Sequence, residues 1–552
     1  MDNVKSEETD NDKQPSSAFV SLGELFTVQY RYLLPDMELE RKLGAKLGGS
    51  SGAGQANRRG KQPAGTRSRS RIVQTRQSWP VFGKTGLSMR LVGKTEDDSA
   101  NLFSFEHGPA YQKAQILFQE AVESLNPDII VAILQQHPYH VDSALQLSEV
   151  LRQSEDFSRA RDLIERALYG CECAFHPLFN LSQNNCRLDY KQAENRPFML
   201  ALFRHMTSCM ERGCYRTSLE LAKLIYSLSP NEDPFSILLL MDYLAIRAEE
   251  YQYLIDLFNI MESTLNLSLL PNFCFSVPLA MHLQAQLPAM DPTAAVELEC
   301  RAAKMMQDSL LKFPSLLWSL LDRCSVEPDP AVSAHTLFNP LSASSDCTGL
   351  RQLTAIYVSR CHSLWADHDV MRWLESQTRL TMERYDAATD LALFERYKEI
   401  RKTRFKGTPR NIARHVFMCD LKDALAQFPP EIKHATVLNY DPLPPLDSVR
   451  NYKLPQKIER LRNESYLSTF VRSLLPNFDA ERDLLEPNDR PEGAAGGEPG
   501  EAHLRDELHH SLRRLLDAVR DLLGDIQPAA APVENQPNPD QDPPVDDAEW
   551  ED

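Results

Sequence analysis

The strongest constraint on the fold is a recurring pattern of one aromatic residue followed by small residues at helical spacing. Copies of this pattern begin at Phe157, Tyr215 and Tyr251, which are 58 and 36 residues apart. Small residues in such a pattern let paired helices approach closely, as they do in tetratricopeptide-type repeats. The second interval fits a unit of about 34 residues with a small insertion, and the first needs extra residues, which we place at 171–196.

Each of these copies follows an apolar-periodic segment that can form the first helix of a pair: 142–153, 198–212 and 235–248. Related patterns occur at 111–127 and 302–314, and further helices are predicted over 348–375, 380–403 and 411–426. We therefore predict an all-α fold, a tetratricopeptide-like helical-repeat solenoid over 99–425. The alternative is an ordinary all-α domain in which the same spacing reflects core packing.

Charge is distributed unevenly along the 552 residues. The chain carries a net charge of −18, which excludes a wholly basic nucleic-acid coat, yet residues 41–94 contain 13 Lys and Arg and no Asp or Glu. We predict that 1–98 is largely disordered, because the core of the basic segment, 57–71, has too few apolar residues to offset the entropy of ordering. It is either a nuclear-localisation segment or an RNA contact. The candidate phosphate contacts are Arg58, Arg59, Lys61, Arg67, Arg69, Arg71 and Arg76.

A proline-rich segment follows the predicted array. Residues 426–478 are predicted to contain a strap and a docking segment, because Pro442, Pro444 and Pro445 exclude a helix over 439–448. The strap is either a rigid surface element or a polyproline ligand. The short apolar stretch 467–478 is expected to dock on the array. Just before the strap, Arg410 and Arg414 share a helical face, and they are candidates for pairing with acids of a partner.

The last region, 479–552, is predicted to contain a linker, an amphipathic helix over 503–524 and an acidic tail. Leu508, Leu512 and Leu515 belong to the apolar stripe of this helix. The stripe either packs back on the same chain or docks on a partner, and both alternatives remain open. Trp550 is a candidate anchor for a partner pocket within the acidic tail.

The sequence contains no complete motif for catalysis or cofactor binding among those considered below. The two GKT fragments at 83–85 and 93–95 lack the earlier glycine of a phosphate loop, since Ser78 and Ser88 occupy that place. Cys171, Cys173 and His176 do not have a standard zinc spacing, so we interpret them as core or loop residues. We expect no catalytic residues, no metal, no cofactor and no membrane span. The chain is therefore predicted to be a non-enzymatic interaction scaffold.

Several phrases of the sequence resemble one eukaryotic family. They occur in order at 26–44, 86–91, 137–150, 159–179, 271–280, 409–416, 440–445 and 470–478; two of them read 137-HPYHVDSALQLSEV-150 and 409-PRNIARHV-416. The family is ribosome quality control complex subunit one, also called transcription factor twenty-five or nuclear localised protein one. Relatives often carry a longer lysine-rich N-terminal extension, which this chain lacks before the match.

The resemblance implies a scaffold that supports ubiquitination and extraction of stalled nascent chains on large ribosomal subunits. The implied partners are a Listerin-type ubiquitin ligase, the nuclear export mediator factor, ubiquitin or ubiquitinated nascent chains, and the valosin-containing AAA ATPase. The implied location is the cytoplasm, on ribosomes. The family is also described as a transcriptional repressor, which makes a nuclear, DNA-binding function the alternative.

Overall fold

The computed structural model describes residues 22–44, 71–95, 99–124, 127–339, 346–387, 390–429, 432 and 437–452. The described part is mostly helical, and the predicted all-α helical-repeat fold class is confirmed. The described residues also contain three strands: β1 (Leu87–Lys94), β2 (Asn101–His107) and β3 (Cys186–Leu188). None of the described helices is both long and apolar enough to cross a membrane.

The helices fall into three groups along the chain. The N-terminal helices are α1 (Leu22–Leu25) and α2 (Pro35–Leu43). The central helices are α3 (Pro109–Ser124), α4 (Pro127–Gln136), α5 (Val141–Gln153), α6 (Phe157–Cys173), α7 (Arg196–Glu211), α8 (Tyr215–Leu228), α9 (Leu238–Arg247), α10 (Tyr251–Leu265) and α11 (Pro271–Ala285). The later helices are α12 (Pro292–Lys312), α13 (Pro314–Arg323), α14 (Pro330–Ala334), α15 (Thr348–Trp365), α16 (His368–Asp386), α17 (Leu391–Thr403), α18 (Arg410–Met418) and α19 (Lys422–Ala426).

One turn recurs at the end of α5, α7, α9, α13 and α18. In each case the second residue after the helix has positive φ: Glu155, Gly213, Glu249, Ser325 and Asp420. The next amide then donates to a carbonyl five residues back: Asp156 to Leu151 (2.9 Å), Cys214 to Cys209 (2.9 Å), Glu250 to Ala245 (2.9 Å), Val326 to Leu321 (3.0 Å) and Leu421 to Val416 (3.3 Å). This is the Schellman arrangement, which satisfies otherwise unpaired carbonyls at a helix end.

These turns explain why the aromatic pattern repeats. Phe157, Tyr215 and Tyr251 each begin the helix that follows such a turn, two residues after the positive-φ position. The turns join α5 to α6, α7 to α8 and α9 to α10, and the two helices of each pair pack together. The small residues Ala160 and Ala167 are buried in α6. The repeat is therefore a helix pair closed by a tight turn of fixed geometry.

The small sheet departs from the sequence prediction, which placed no strand in the chain. β2 pairs antiparallel with β1 and parallel with β3, and β1 has a bulge between Leu91 and Gly93. Phe103 and Phe105 of β2 are buried among aromatic rings that include Phe175 and Phe179. The alternation of side chains along β2 lets one short strand contribute both rings to this cluster.

The N-terminal region is more ordered than predicted over its described parts, 22–44 and 71–95. Glu38 is 4% exposed, and its carboxylate accepts the amides of Arg216 (3.2 Å) and Thr217 (2.8 Å), which caps α8 from a distant part of the chain. The amide of Gln29 donates to Glu220 (3.0 Å). The prediction of disorder rested on the basic core 57–71, of which only Arg71 is described, and the array supplies partners for the polar groups of the described parts on either side.

Residues 437–452 form an irregular segment with turns at 439–440 and 446–447, here called the strap, which runs across α18 and α7 towards the sheet. Its residues 439–448 contain no helix. Near its end, Val449 pairs in parallel with Gln192: Val449 N–H donates to Lys191 O (2.9 Å), and Ala193 N–H donates to Val449 O (2.8 Å). The strap thus connects the last described helices to the beginning of α7.

Candidate partner-binding surface

Arg414 lies inside the protein, where it holds the strap. Arg414 is only 3% exposed, and its Nε donates to Pro442 O (2.9 Å). The two remaining guanidinium nitrogens donate to Pro234 O and Leu443 O. The guanidinium also lies 4.7 Å from the ring centroid of Tyr190. Four groups of the same chain therefore surround this cation.

This placement bears on the prediction that Arg410 and Arg414 are candidates for pairing with acids of a partner. Arg410 remains exposed, and its Nε donates to Pro444 O (2.8 Å), while Arg414 has no free face for the acids of a partner. The helical spacing was read correctly, since both side chains point towards the strap. What the sequence could not show is that the strap returns over this face of α18.

Two arginines of α7 complete the attachment of the strap. Arg196 forms a bidentate pair with Asp441, at 2.9 Å and 2.8 Å, and also donates to Ser448 Oγ (2.8 Å). Arg204 donates to Leu145 O (2.7 Å) and to Asn439 O (2.5 Å). We call Arg196, Arg204, Arg414 and Asp441 the strap clamp. Sequence reasoning missed both α7 residues, although arginines eight residues apart in an apolar helix share one face and are a usable signal.

Beneath the end of the strap lies a small polar cavity of about 20 Å³, enough for one water molecule. Tyr452 contacts His107 there, with the phenol oxygen 3.1 Å from Nδ1. Burial, together with the charge of Arg450, lowers the pKa of His107 to about 3. Burial and the charge of Asp441 raise the pKa of Asp142 to about 7. Burial under the strap thus favours the neutral form of both the His107 imidazole and the Asp142 carboxyl group.

A larger cavity of about 130 Å³, here called the strap groove, opens between α5, α6, α7, α18 and the start of the strap. A cavity of this order holds one aromatic ring or branched side chain. Its apolar lining includes Ile164, Phe417 and Val437, and Phe157 at its mouth is 50% exposed. The helical spacing of the repeat therefore leaves one of its marker aromatics accessible beside a cavity.

The polar lining of the strap groove carries both signs of charge. Glu149 is paired with Arg152 (2.7 Å); burial opposes this charge, but Arg152 and Arg204 bring the pKa of Glu149 below its ordinary value. Burial raises the pKa of Glu211 across the groove. Arg161 donates Nε to Phe157 O (3.1 Å). The groove is suited to an apolar side chain flanked by polar groups, as at the centre of a protein interface.

The structure also places two of the candidate phosphate contacts. Arg71 Nη1 donates to Tyr30 Oη (2.7 Å), and its guanidinium lies 4.6 Å from the ring centroid of Tyr30. Arg76 pairs with Asp162 (3.1 Å) and Glu165 (2.7 Å). Both side chains therefore contact other residues of their own chain, and the charge of Arg76 is offset by two carboxylates.

The remaining predicted site residues lie outside the described part of the chain. They are Arg58, Arg59, Lys61, Arg67, Arg69, Leu508, Leu512, Leu515 and Trp550. Within the described part, no cluster of His, Cys, Asp and Glu side chains has the arrangement of a metal site.

Comparison with known proteins places this architecture in a family. A family model described as transcriptional repressor TCF25 matches residues 103–445, more than half of the chain. The chain belongs to the TCF25 family. The matched range begins in β2 and ends in the strap, so it contains all four residues of the strap clamp. The family resemblance of the sequence motifs is thereby confirmed.

Three relatives illustrate the TCF25 family. A protein of Mus musculus named ribosome quality control complex subunit TCF25 is 42% identical over 516 residues, which cover 93% of this chain and 73% of the relative. Ribosome quality control complex subunit 1 of Schizosaccharomyces pombe is 28% identical, covering 77% of this chain and 58% of the relative. A probable transcription factor, claV of Ampulloclitocybe clavipes, is 28% identical, covering 76% and 56%. No solved structure matches the chain.

Proposed function

We propose that this protein is a non-enzymatic scaffold subunit of the ribosome quality control complex. The observation that carries the proposal is the 42% identity, over 93% of the chain, to a protein named as a subunit of that complex. A helical-repeat array with an open groove is the kind of surface that binds other proteins. Its role is to support ubiquitination and extraction of stalled nascent chains on large ribosomal subunits.

The proposed partners are a Listerin-type ubiquitin ligase, the nuclear export mediator factor, ubiquitin or ubiquitinated nascent chains, and the valosin-containing AAA ATPase. The first test is quantitative mass spectrometry of the tagged full-length chain from cells with stalled translation, with and without DNase. The proposal expects large-subunit proteins, the ligase and ubiquitinated nascent chains to be enriched together. Recovery of chromatin factors alone, lost on DNase treatment, would contradict it.

The strap groove is our proposed contact for one of these proteins. Phe157→Glu places a charge at the mouth of the groove, and the wild-type side chain is exposed enough for the variant to fold. Val296→Glu on α12 is a matched control, because that side chain is 66% exposed at a different helix. Loss of one partner with the first variant only would support the groove, and equal recovery of every partner would remove it.

RNA contact through the basic segment is a separate proposal. Arg67→Glu combined with Arg69→Glu should weaken co-sedimentation with large subunits, and the wild-type binding should fall steeply with salt. Arg71 and Arg76 are left unchanged because their side chains hold the fold. Arg404→Glu with Lys406→Glu gives the same change of charge on two exposed residues elsewhere. Unchanged sedimentation of the first variant would contradict this contact.

The second candidate function is transcriptional repression in the nucleus. It is favoured by the description of the family model and by the relative named as a probable transcription factor. It predicts sequence-selective DNA binding, which requires contacts to base edges. A competition assay with specific and scrambled duplexes at fixed salt tests it, and equal competition by both would count against it.

A further inference from the structure

Arg166, in the middle of α6, is buried without a partner. Two other buried arginines, Arg196 and Arg414, belong to the strap clamp, where acceptors surround their guanidinium groups. Arg166 is only 2% exposed, yet no described group accepts a hydrogen bond from its guanidinium, pairs with it or stacks on it. A buried cation without a partner is strongly unfavourable, and arginine does not lose its proton to relieve this. The site therefore calls for an anionic group that the described residues do not supply.

The two carboxylates next to Arg166 on α6 are engaged elsewhere. Asp162, one turn earlier, pairs with Arg76 (3.1 Å) and accepts a hydrogen bond from Trp79 Nε1 (2.9 Å). Glu165 pairs with the same Arg76 (2.7 Å). Because both acids are turned towards the N-terminal segment, the cation between them has no counter-ion.

Residues 74–82, here called the N-terminal lid, cover this part of α6. The rings of Trp79 and Phe82 lie 5.7 Å and 5.8 Å from the ring of Tyr169, measured between centroids. Arg166 is three residues before Tyr169, on the same face of α6. Its side chain therefore lies beneath the lid, between Tyr169 and the acids that the lid contacts.

The lid is loosely held. Among the described residues, the only hydrogen bond that one of its backbone amides donates goes from Trp79 to Arg76 O (3.2 Å), inside the lid itself. A cavity of about 440 Å³ lies between residues 74–78 and the helices α2, α6 and α7, and its lining includes Glu165 and His205. Because protein interiors are packed about as densely as organic crystals, a segment that spans such a cavity is poorly matched to its groove.

The chain on either side of the lid is held more firmly. Ile72 and Val73 are buried before it, and the amide of Ile72 donates to Glu172 (3.0 Å). After it, Gly86 O accepts the amide of Gly108 (2.7 Å). The lid can therefore leave α6 while these flanking residues stay in place.

We propose that this face of α6 is a binding site for an extended segment of a partner protein, which displaces the lid. The partner segment carries a basic residue for Asp162 and Glu165 and an aromatic residue for Tyr169. Unlike the lid, it also carries an acidic residue for Arg166. Charge complementarity selects this chemistry, since the acid supplies the ion pair that the lid leaves unmade.

The site differs from the strap groove, which lies on another face of α6 and is lined there by Phe157, Ala160 and Ile164. The lid acts as a competitor within the chain, because it covers the same face that the partner segment binds. The inference goes beyond the proposed function, since it specifies the chemistry of a bound segment and does not depend on which complex supplies it.

The first test asks whether Arg166 destabilises the free protein. Arg166→Met in the full-length chain removes an unpaired buried charge and should raise the midpoint of urea denaturation. Arg166→Lys is the matched control, because it keeps a charge without a partner and should give no gain. A lower midpoint for Arg166→Met would mean that the guanidinium is already satisfied in the free chain, and this would overturn the proposal.

The second test selects peptides from a displayed library of random sequences on the full-length protein. The selected peptides should combine basic, aromatic and acidic residues, and they should bind Arg166→Met at least roughly tenfold more weakly than the parent. Trp79→Ala combined with Phe82→Ala loosens the lid and should tighten their binding roughly tenfold, since an internal competitor lowers apparent affinity. Equal affinity for the parent and Arg166→Met would count decisively against the site.

A photo-crosslinking phenylalanine derivative at Phe82 follows the lid directly. In the free protein it should cross-link to Tyr139 or Tyr169, and a saturating selected peptide should lower that yield roughly tenfold. The same amino acid at Val81, which is 96% exposed, is the control and should cross-link weakly with or without peptide. An unchanged yield from Phe82 in the presence of bound peptide would overturn the proposal. Stabilisation by inorganic phosphate alone, with no peptide selected, would also overturn it by assigning Arg166 to a free anion.

Discussion

The strap and the N-terminal segment 71–82 are both non-helical stretches that pack on the array, but they are held in opposite ways. The array holds the strap with cations: Arg196, Arg204 and Arg414 donate mainly to strap carbonyls and to Asp441. It holds the N-terminal segment with anions, since Glu172 accepts the amides of residues 71 and 72 at 2.8 Å and 3.0 Å.

The two attachments also differ in burial. Arg414 and Arg196 are 3% and 4% exposed, whereas the side chain of Arg76, which pairs with Asp162 and Glu165, is 45% exposed. Interactions of buried charges are weakly screened by salt and are costly to break, while exposed pairs contribute little. The comparison teaches that the strap is a structural part of the array, and that the N-terminal segment is attached by weaker, salt-sensitive contacts.

The largest expected effect comes from removing the centre of the strap clamp. Arg414→Met leaves the carbonyls of Pro234, Pro442 and Leu443 without their donor and should lower the free energy of unfolding by about 3 kcal/mol. Urea denaturation measures it. Arg410→Met, one turn away and exposed, is the control and should cost less than about 1 kcal/mol. Equal losses would erase the distinction between buried and exposed attachment.

A smaller effect is expected at the ion pair of the clamp. Asp441→Asn leaves the guanidinium of Arg196 buried opposite a neutral amide and should cost about 2 kcal/mol in the same assay. Asp447→Asn is the matched control, because Asp447 pairs with Lys191 in solvent (2.6 Å) and its loss should not be measurable. A large effect of the control would mean that exposed strap contacts matter as much as buried ones.

The buried titratable groups under the strap should make the free energy of unfolding depend on pH. The pKa of Asp142 is raised to about 7 from an ordinary value near 4, so between these values the folded state binds more protons than the unfolded state. This residue therefore costs stability as pH rises from about 4 to about 7. Asp142→Asn should gain on the parent over that window by at most about 1.4 kcal/mol per pH unit.

The buried histidines should change the free energy of unfolding with pH in the opposite direction. The pKa of His140 and that of His415 are lowered to about 3, so the unfolded state binds the extra protons between about 3 and about 6.5. The parent protein should consequently lose stability as pH falls through that window, even though Asp142 has the opposite effect.

For Asp142, the contradicting outcome is a difference in stability between Asp142→Asn and the parent that does not change across pH 4 to 7.

The smallest effect is expected at the N-terminal segment. Arg76→Gln removes two partly exposed ion pairs and should cost less than about 1 kcal/mol, a loss that disappears in high salt. Thermal melts at low and high salt measure it. The loss caused by Arg414→Met should persist in both conditions. If both losses respond to salt alike, the two segments are not attached differently.

The sequence predicted the features that depend on residues close together in the chain and missed those that depend on distant residues. Helix pairs were predictable, because the period of small and apolar residues is written locally around Ala160 and Ala167. The turns between the helices were not predictable. Glycine is the residue type that commonly adopts positive φ, and only Gly213 is a glycine, whereas Glu155 and Glu249 adopt the same conformation to complete a Schellman turn. The strand β3 was missed because its partner β2 lies 85 residues earlier in the chain, and no local sequence pattern indicates that pairing.

For the candidate surfaces, the sequence showed which residues share a helix face but not what covers that face. It placed Arg410 and Arg414 together correctly, and only the returning strap decided that one is buried and the other exposed. By itself the sequence determined the all-α repeat and the exclusion of helix at Pro442–Pro445, because periodicity and backbone restriction act over a few residues. The tertiary structure decided which charges are buried, since a charge is removed from water only when distant segments close over it.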